Sequence, residues 1–89
     1  MAMDKHKLQD LLAQLQQALD DPDIDADTLQ LARQLDSGIH QLLDEQSEVN
    51  DPDPFLELSR KLEVGFAARH PLAERVLREI GNTLANIGI

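Results

Sequence analysis

The chain contains no cysteine, no tryptophan and no tyrosine. Without cysteine there is no disulfide, no thiolate nucleophile and no cysteine-liganded metal site. Phenylalanine occurs twice in 89 residues, so leucine and isoleucine must fill the interior, and aromatic walls for a substrate pocket are missing. Bases are scarce as well: eight Lys and Arg stand against seventeen Asp and Glu, a formal net charge of −9. Clustered Lys and Arg are what hold a phosphate backbone, so nucleic acid is excluded as a partner. No apolar run approaches the ~18–20 residues of a membrane span, and the N-terminus lacks a signal-peptide core. The expectation is a cytoplasmic protein with no membrane partner. There is no glycine-rich phosphate loop or other cofactor motif. None of Ser37, Ser47 and Ser59 lies in a Gly-x-Ser-x-Gly elbow. Nothing alternates with strand periodicity, and the glycines and prolines, four of each, sit mostly at boundaries.

What remains is helical. From Ala73 the apolar residues fall at Ala73, Val76, Leu77, Ile80, Leu84 and Ile87, spacings of three and four that share one helix face. Pro71 suits the first helical position, where its missing N–H is no loss. With Gly88 as the left-handed residue past the cap, Ile89 would fold back on Leu84 in a Schellman stop. Upstream, Phe55, Leu58, Leu62 and Phe66 form another stripe, and its phase continues across the proline. Proline inside a helix loses a hydrogen bond and clashes with the carbonyl four residues back, here Ala67, at about 3 kcal/mol. Residues 55–87 are therefore two helices or one kinked helix, with a break or sharp kink at His70-Pro71 the favoured form.

Three stretches together resemble a known family: M-D-K-x-K-L-Q-x-L-L at residues 3–12, F-x-x-x-H-P-L at 66–72, and L-A-N-I-G-I at 84–89. The chain is similar to small bacterial proteins catalogued as domain of unknown function 4404. Leu72 follows Pro71 directly, where members usually place another residue. The resemblance implies a small all-helical protein and carries no activity, cofactor or catalytic residue. It also implies a native start at Met3, with Met1 and Ala2 a cloning remnant. The length itself allows one single domain, residues 1–89, within which 1–3 are expected to be disordered or such a remnant.

The first helix is expected over residues 4–19, with Leu8, Leu11, Leu12, Leu15, Ala18 and Leu19 on one side and glutamines on the other. It stops at the Asp-Asp-Pro-Asp run, since a residue before proline is pushed out of the helical region. The second starts near Ala26 with Asp25 as N-cap and Ile24 and Leu29 as a hydrophobic staple. It buries Leu29, Ala32, Leu35, Ile39, Leu42 and Leu43 and extends to about Gln46. Gly38 inside it marks either a tight helix crossing or simple tolerance of a cost near 1 kcal/mol. Residues 47–54 form a turn, with Asp53 as N-cap and Pro54 at the first position of helix three. The fold class is all-α: four amphipathic helices in hairpins that form a bundle, the first two an antiparallel pair joined by about five residues. At this length folding buries only about 60–65% of the chain's surface, so such a chain is often completed by a partner.

Three constellations invite chemistry. The ladder Asp21, Asp23, Asp25, Asp27 resembles an EF-hand start, but neither register supplies the glycine at six or the glutamate at twelve, and capping accounts for it. Asp36, His40 and Asp44 share a face of helix two, as a metal site or as a solvated stripe. His70 caps the helix break or senses pH; His6 has no visible partner. A paired-carboxylate hydrolase needs only two of the many acids to meet in space, yet lacks a walled pocket here.

From residue 20 to 57 twelve acids face one base, Arg33, whereas Arg60, Lys61, Arg69, Arg75 and Arg78 dominate the stretch after it. The two could complement each other within a chain or between copies, or simply be solvated faces. The chain therefore reads as a non-enzymatic protein-interaction or self-assembly module, dimerising through Phe66, Leu72, Val76, Ile80 and Leu84, with Leu56 and Val64 extending that surface. Asp25, Asp53, His70, Pro71 and Gly88 are structural caps. The alternative is an acidic regulator docking on a basic partner surface; a small metal-binding protein comes third.

Overall fold

Apolar stripes of helical period can be hidden only against one another, and a computed structural model shows how. It describes residues 5–44, 46 and 51–87. Four helices run in the order α1 (Lys5–Ala18), α2 (Ala26–Leu43), α3 (Asp53–Phe66) and α4 (Pro71–Ile87), with no strand among the described residues. Leu8, Leu12 and Leu15 of α1, Leu35 and Ile39 of α2, Leu62 and Phe66 of α3, and Leu77, Ile80 and Leu84 of α4 meet in one cluster, each at most 2% exposed. The bundle measures 38 × 20 × 20 Å.

Each terminus has a local cause. Asp25 accepts a hydrogen bond from the Thr28 N–H at 3.3 Å while its own carbonyl takes the Leu29 N–H at 3.0 Å. Its neighbour Ile24 is buried in the core and Leu29 packs partly against it. At the far end, α2 stops at Leu43, short of the expected Gln46. There the Asp44 carboxylate accepts the Gln46 N–H at 3.0 Å, an alternative partner that helix continuation would not use.

The start of α3 corrects the expected cap. Pro52, already helical at φ −77° and ψ −14°, holds the cap position, and Asp53 is the first residue of the helix. Pro52 and Pro54 have no N–H to satisfy, and the Asp53 N–H between them donates to Asp51 Oδ1 at 3.0 Å. The capping carboxylate is therefore Asp51, not Asp53.

Between α3 and α4 the chain breaks completely. Helix α3 ends at Phe66, and Pro71 is the first residue of α4. The His70 N–H still reaches the Phe66 carbonyl at 2.9 Å, and its carbonyl takes the Glu74 N–H at 2.9 Å. His70 thus closes one helix and opens the next. The two helices lie antiparallel: Arg60 meets Asn82, and three residues later on α3 Glu63 meets Arg78, four residues earlier on α4.

The helix pairing also departs from expectation. The closest packing is α3 on α4, followed by α1 on α4 and α2 on α3. Helices α1 and α2 are not a closely packed hairpin. Residues 19–25 separate them, part of that linker (Ile24) is itself core, and a cleft of about 630 Å³ lined by Gln16, Gln17, Arg33 and Asp36 opens between them. One side-chain bond spans it, from Gln16 Nε2 to Asp36 Oδ2 at 3.4 Å.

Gly38 resolves into a tight crossing. A Cβ on it would lie 2.2 Å from the Phe55 ring, so this glycine lets α3 seat its aromatic against the α2 backbone. The expected stop at Gly88 and Ile89, the leader 1–3, and Glu45, Ser47 and Glu48 lie outside the described residues.

Candidate functional site

The residues expected to form an interface are inside the molecule. Phe66 is 1% exposed, Val76 2%, and Ile80 and Leu84 0% within a single chain. Their stripe meets α1 and α3, so it is the core and not a surface left for a second copy. Leu72 differs: at 61% exposed it stands clear of the core, as does Val64 at 79%. Leu56 is half-buried against the core. Leu72 shares a groove between α1 and α4 with Leu11, Gln14, Arg75, Val76 and Glu79.

At the same end of the bundle the break at Pro71 places His70 in a polar contact that its sequence neighbours do not supply. Its Nδ1 lies 3.1 Å from Asp21 Oδ2, and its ring meets the edge of Phe66 at 5.4 Å and 81°. Asp21 uses its other oxygen locally, accepting the Asp23 N–H at 2.9 Å, and its carbonyl accepts the Ile24 N–H at 3.2 Å. One carboxylate therefore shapes the α1–α2 linker and ties it to the α3–α4 turn. Sequence reading missed this role for Asp21, because a contact across 49 positions has no local signature.

The other candidates disperse. Asp36 turns toward α1, with Oδ1 3.5 Å from His40 Nε2, too long for a strong hydrogen bond, while Asp44 serves the end of α2. Two aspartates of the ladder bend back onto backbone donors, Asp21 onto Asp23 and Asp25 onto Thr28, while Asp23 and Asp27 are exposed. Thr28, through its side chain first and its backbone second, holds the Asp25 carboxyl below its ordinary pKa. Among the described residues no three His, Asp or Glu side chains converge as a metal site would require. Ser59 is fully buried and spends its hydroxyl on the Leu56 carbonyl at 2.8 Å. Ser37 and His6 are exposed on helix surfaces. Among the described residues no helix is long and apolar enough to cross a membrane.

Charge is distributed unevenly. Arg60 donates to Glu63 at 3.3 Å and to Asn82 at 3.0 Å; Arg78 donates to Glu63 at 3.1 Å and to Glu74. Those carboxylates, Glu63 foremost, push the Arg78 guanidinium further up. The α3–α4 seam thus neutralises its own bases and does not spend them on the acidic middle. Asp20, Asp23, Asp27, Asp51, Asp53 and Glu57 remain exposed.

Comparison with curated proteins and with solved structures finds no match in either. A family model does match, over residues 8–89, covering α1 from Leu8 onward, the other three helices and the His70-Pro71 break. The chain belongs to the family described as Domain of unknown function (DUF4404).

Proposed function

We propose that this protein is a non-enzymatic interaction module whose acidic side, from the α1–α2 linker through α2 to the first turns of α3, docks on a basic surface of another protein. The observation carrying this reading is the separation of charge. Twelve acids face one base between residues 20 and 57, and the arginines of the seam are engaged by Glu63, Glu74 and Asn82 instead. An acidic face on which Asp20, Asp23, Asp27, Asp51, Asp53 and Glu57 are exposed raises encounter rates with a basic partner and makes binding sensitive to salt. The burial of Phe66, Val76, Ile80 and Leu84 within one chain supports a polar docking face over that apolar stripe.

The test is retention of cell proteins on the immobilised chain at low and at high salt, beside a D27K/D53K/E57K variant. These positions are exposed, so the variant should keep its helical circular dichroism. Partners held at low salt should be released by high salt and absent from the variant. Equal retention by wild type and variant sinks the reading.

A further inference from the structure

The end of the bundle that carries the α3–α4 turn presents both signs of charge side by side. Asp20 and Asp23 are exposed on the α1–α2 linker, which the Asp21–His70 contact of 3.1 Å holds against that turn. Arg69 in the turn and Arg75 one turn into α4 are exposed, and neither reaches a carboxylate among the described residues. Leu72 and Arg75 stand three apart on one face of α4, and Leu72 borders the groove of about 380 Å³ floored by Leu11 and Val76. A surface that holds an exposed apolar residue together with unpaired cations and unpaired anions carries both halves of a match to a copy of itself.

We infer that this end is a twofold contact between two copies of the chain, Arg69 and Arg75 of each facing Asp20 and Asp23 of the other, with Leu72 at the centre. A twofold contact uses the same patch on both partners, so residue i meets j and j meets i. Both halves of the charge match must then lie close together on one surface, and the Asp21–His70 tie supplies that proximity. Leu72 gives the apolar middle that such contacts place inside a polar rim. The occupant is a second copy because the chain itself carries each half of the match. This contact shares Asp20 and Asp23 of the linker with the acidic docking face but none of Asp27, Asp53 and Glu57, so the two are tested by separate variants.

The test is sedimentation equilibrium of the full chain across concentration at fixed, low ionic strength, with circular dichroism confirming that each variant is folded. Wild type should move from one chain mass toward two. R69E/R75E alone and D20K/D23K alone should each weaken association about tenfold or more, because each sets like charges against each other. Mixed together, they should associate again, since every contact then pairs opposite signs. L72S, which leaves the charges in place, should also weaken association. A wild type that stays monomeric overturns the inference. So do charge reversals without effect, a mixture that fails to recover, or a dimer indifferent to L72S. None of these outcomes touches retention by the D27K/D53K/E57K face.

Discussion

His70 Nδ1 lies 3.1 Å from Asp21 Oδ2, joining the α3–α4 turn to the α1–α2 linker. The imidazole is 15% exposed and the carboxylate 36%, so the pair is shielded on one side only. The same histidine holds the backbone of both adjoining helices through its N–H and carbonyl. Its side chain therefore fastens two loops, while its main chain completes two helix ends.

That dual role separates in a double-mutant cycle. His70→Ala and Asp21→Ala should show a coupling energy of about 0.5–1 kcal/mol, the scale of a partly exposed pair. His70→Ala alone should cost more than the coupling, because the Phe66 edge contact, worth about 0.5–1.5 kcal/mol, goes with it. Urea denaturation of the four proteins measures both; a coupling of zero would show that the contact does not hold the loops.

Two glycines should respond in opposite directions to alanine. At Gly38 the new methyl collides with Phe55, 2.2 Å away, and overpacking of this kind costs roughly 1–3 kcal/mol. At Gly65 nothing lies within 4 Å of the added carbon. Replacing this exposed helical glycine should stabilise by about 0.5 kcal/mol through reduced freedom of the unfolded chain. Thermal melts of both variants, read against wild type, check the pair of signs.

Leu84→Ala should destabilise the chain by about 2–5 kcal/mol, as expected for a fully buried leucine. Its effect should appear in the unfolding of a single chain, independent of protein concentration. At protein concentrations where the chain is monomeric, Leu72→Ala should leave the denaturant midpoint nearly unchanged, because that side chain is 61% exposed. Denaturation at two protein concentrations distinguishes the residues, and a concentration-dependent loss at Leu84 would return it to an interface.

Asp25 predicts an acid limit. Its folded pKa is depressed by Thr28, so the unfolded chain binds the proton first and the stabilising contribution is present above the unfolded value. It is lost as pH falls through the folded value, below the ordinary aspartate pKa of about 3.9. Asparagine caps well without titrating. The melting-temperature advantage of wild type over Asp25→Asn should therefore shrink as pH drops from neutral to below about 4. A difference that stays constant across that range would remove the charge from the capping argument.

Much of the secondary structure was legible because its causes are local. Spacing of three and four placed the apolar faces, proline at 71 broke the backbone where its ring and missing N–H required, and Asp25 capped α2 with a side chain three residues from its donor. The start of α3 was misplaced by one residue for an equally local reason. The Phe55 and Leu56 N–H groups that a cap at Asp53 would have served go to the Pro52 carbonyl, and Asp51 takes the Asp53 N–H. The periodic stripe on α4 showed that Val76, Ile80 and Leu84 need cover, but periodicity is blind to whether that cover comes from the same chain or another.

Only the tertiary structure decided that question. It laid α1 on α4 and α2 on α3, hid the stripe within one copy, and left Leu72 and Val64 outside. It spent Arg60 and Arg78 on the α3–α4 seam, used Gly38 to admit Phe55, and brought Asp21 to His70 across most of the chain. The amino-acid order by itself determined four helices, their breaks and an acidic excess, because each follows from backbone chemistry within a few residues or from counting charge. Which faces are spent inside the molecule, and which charges are left for a partner, depends on packing between residues far apart in sequence.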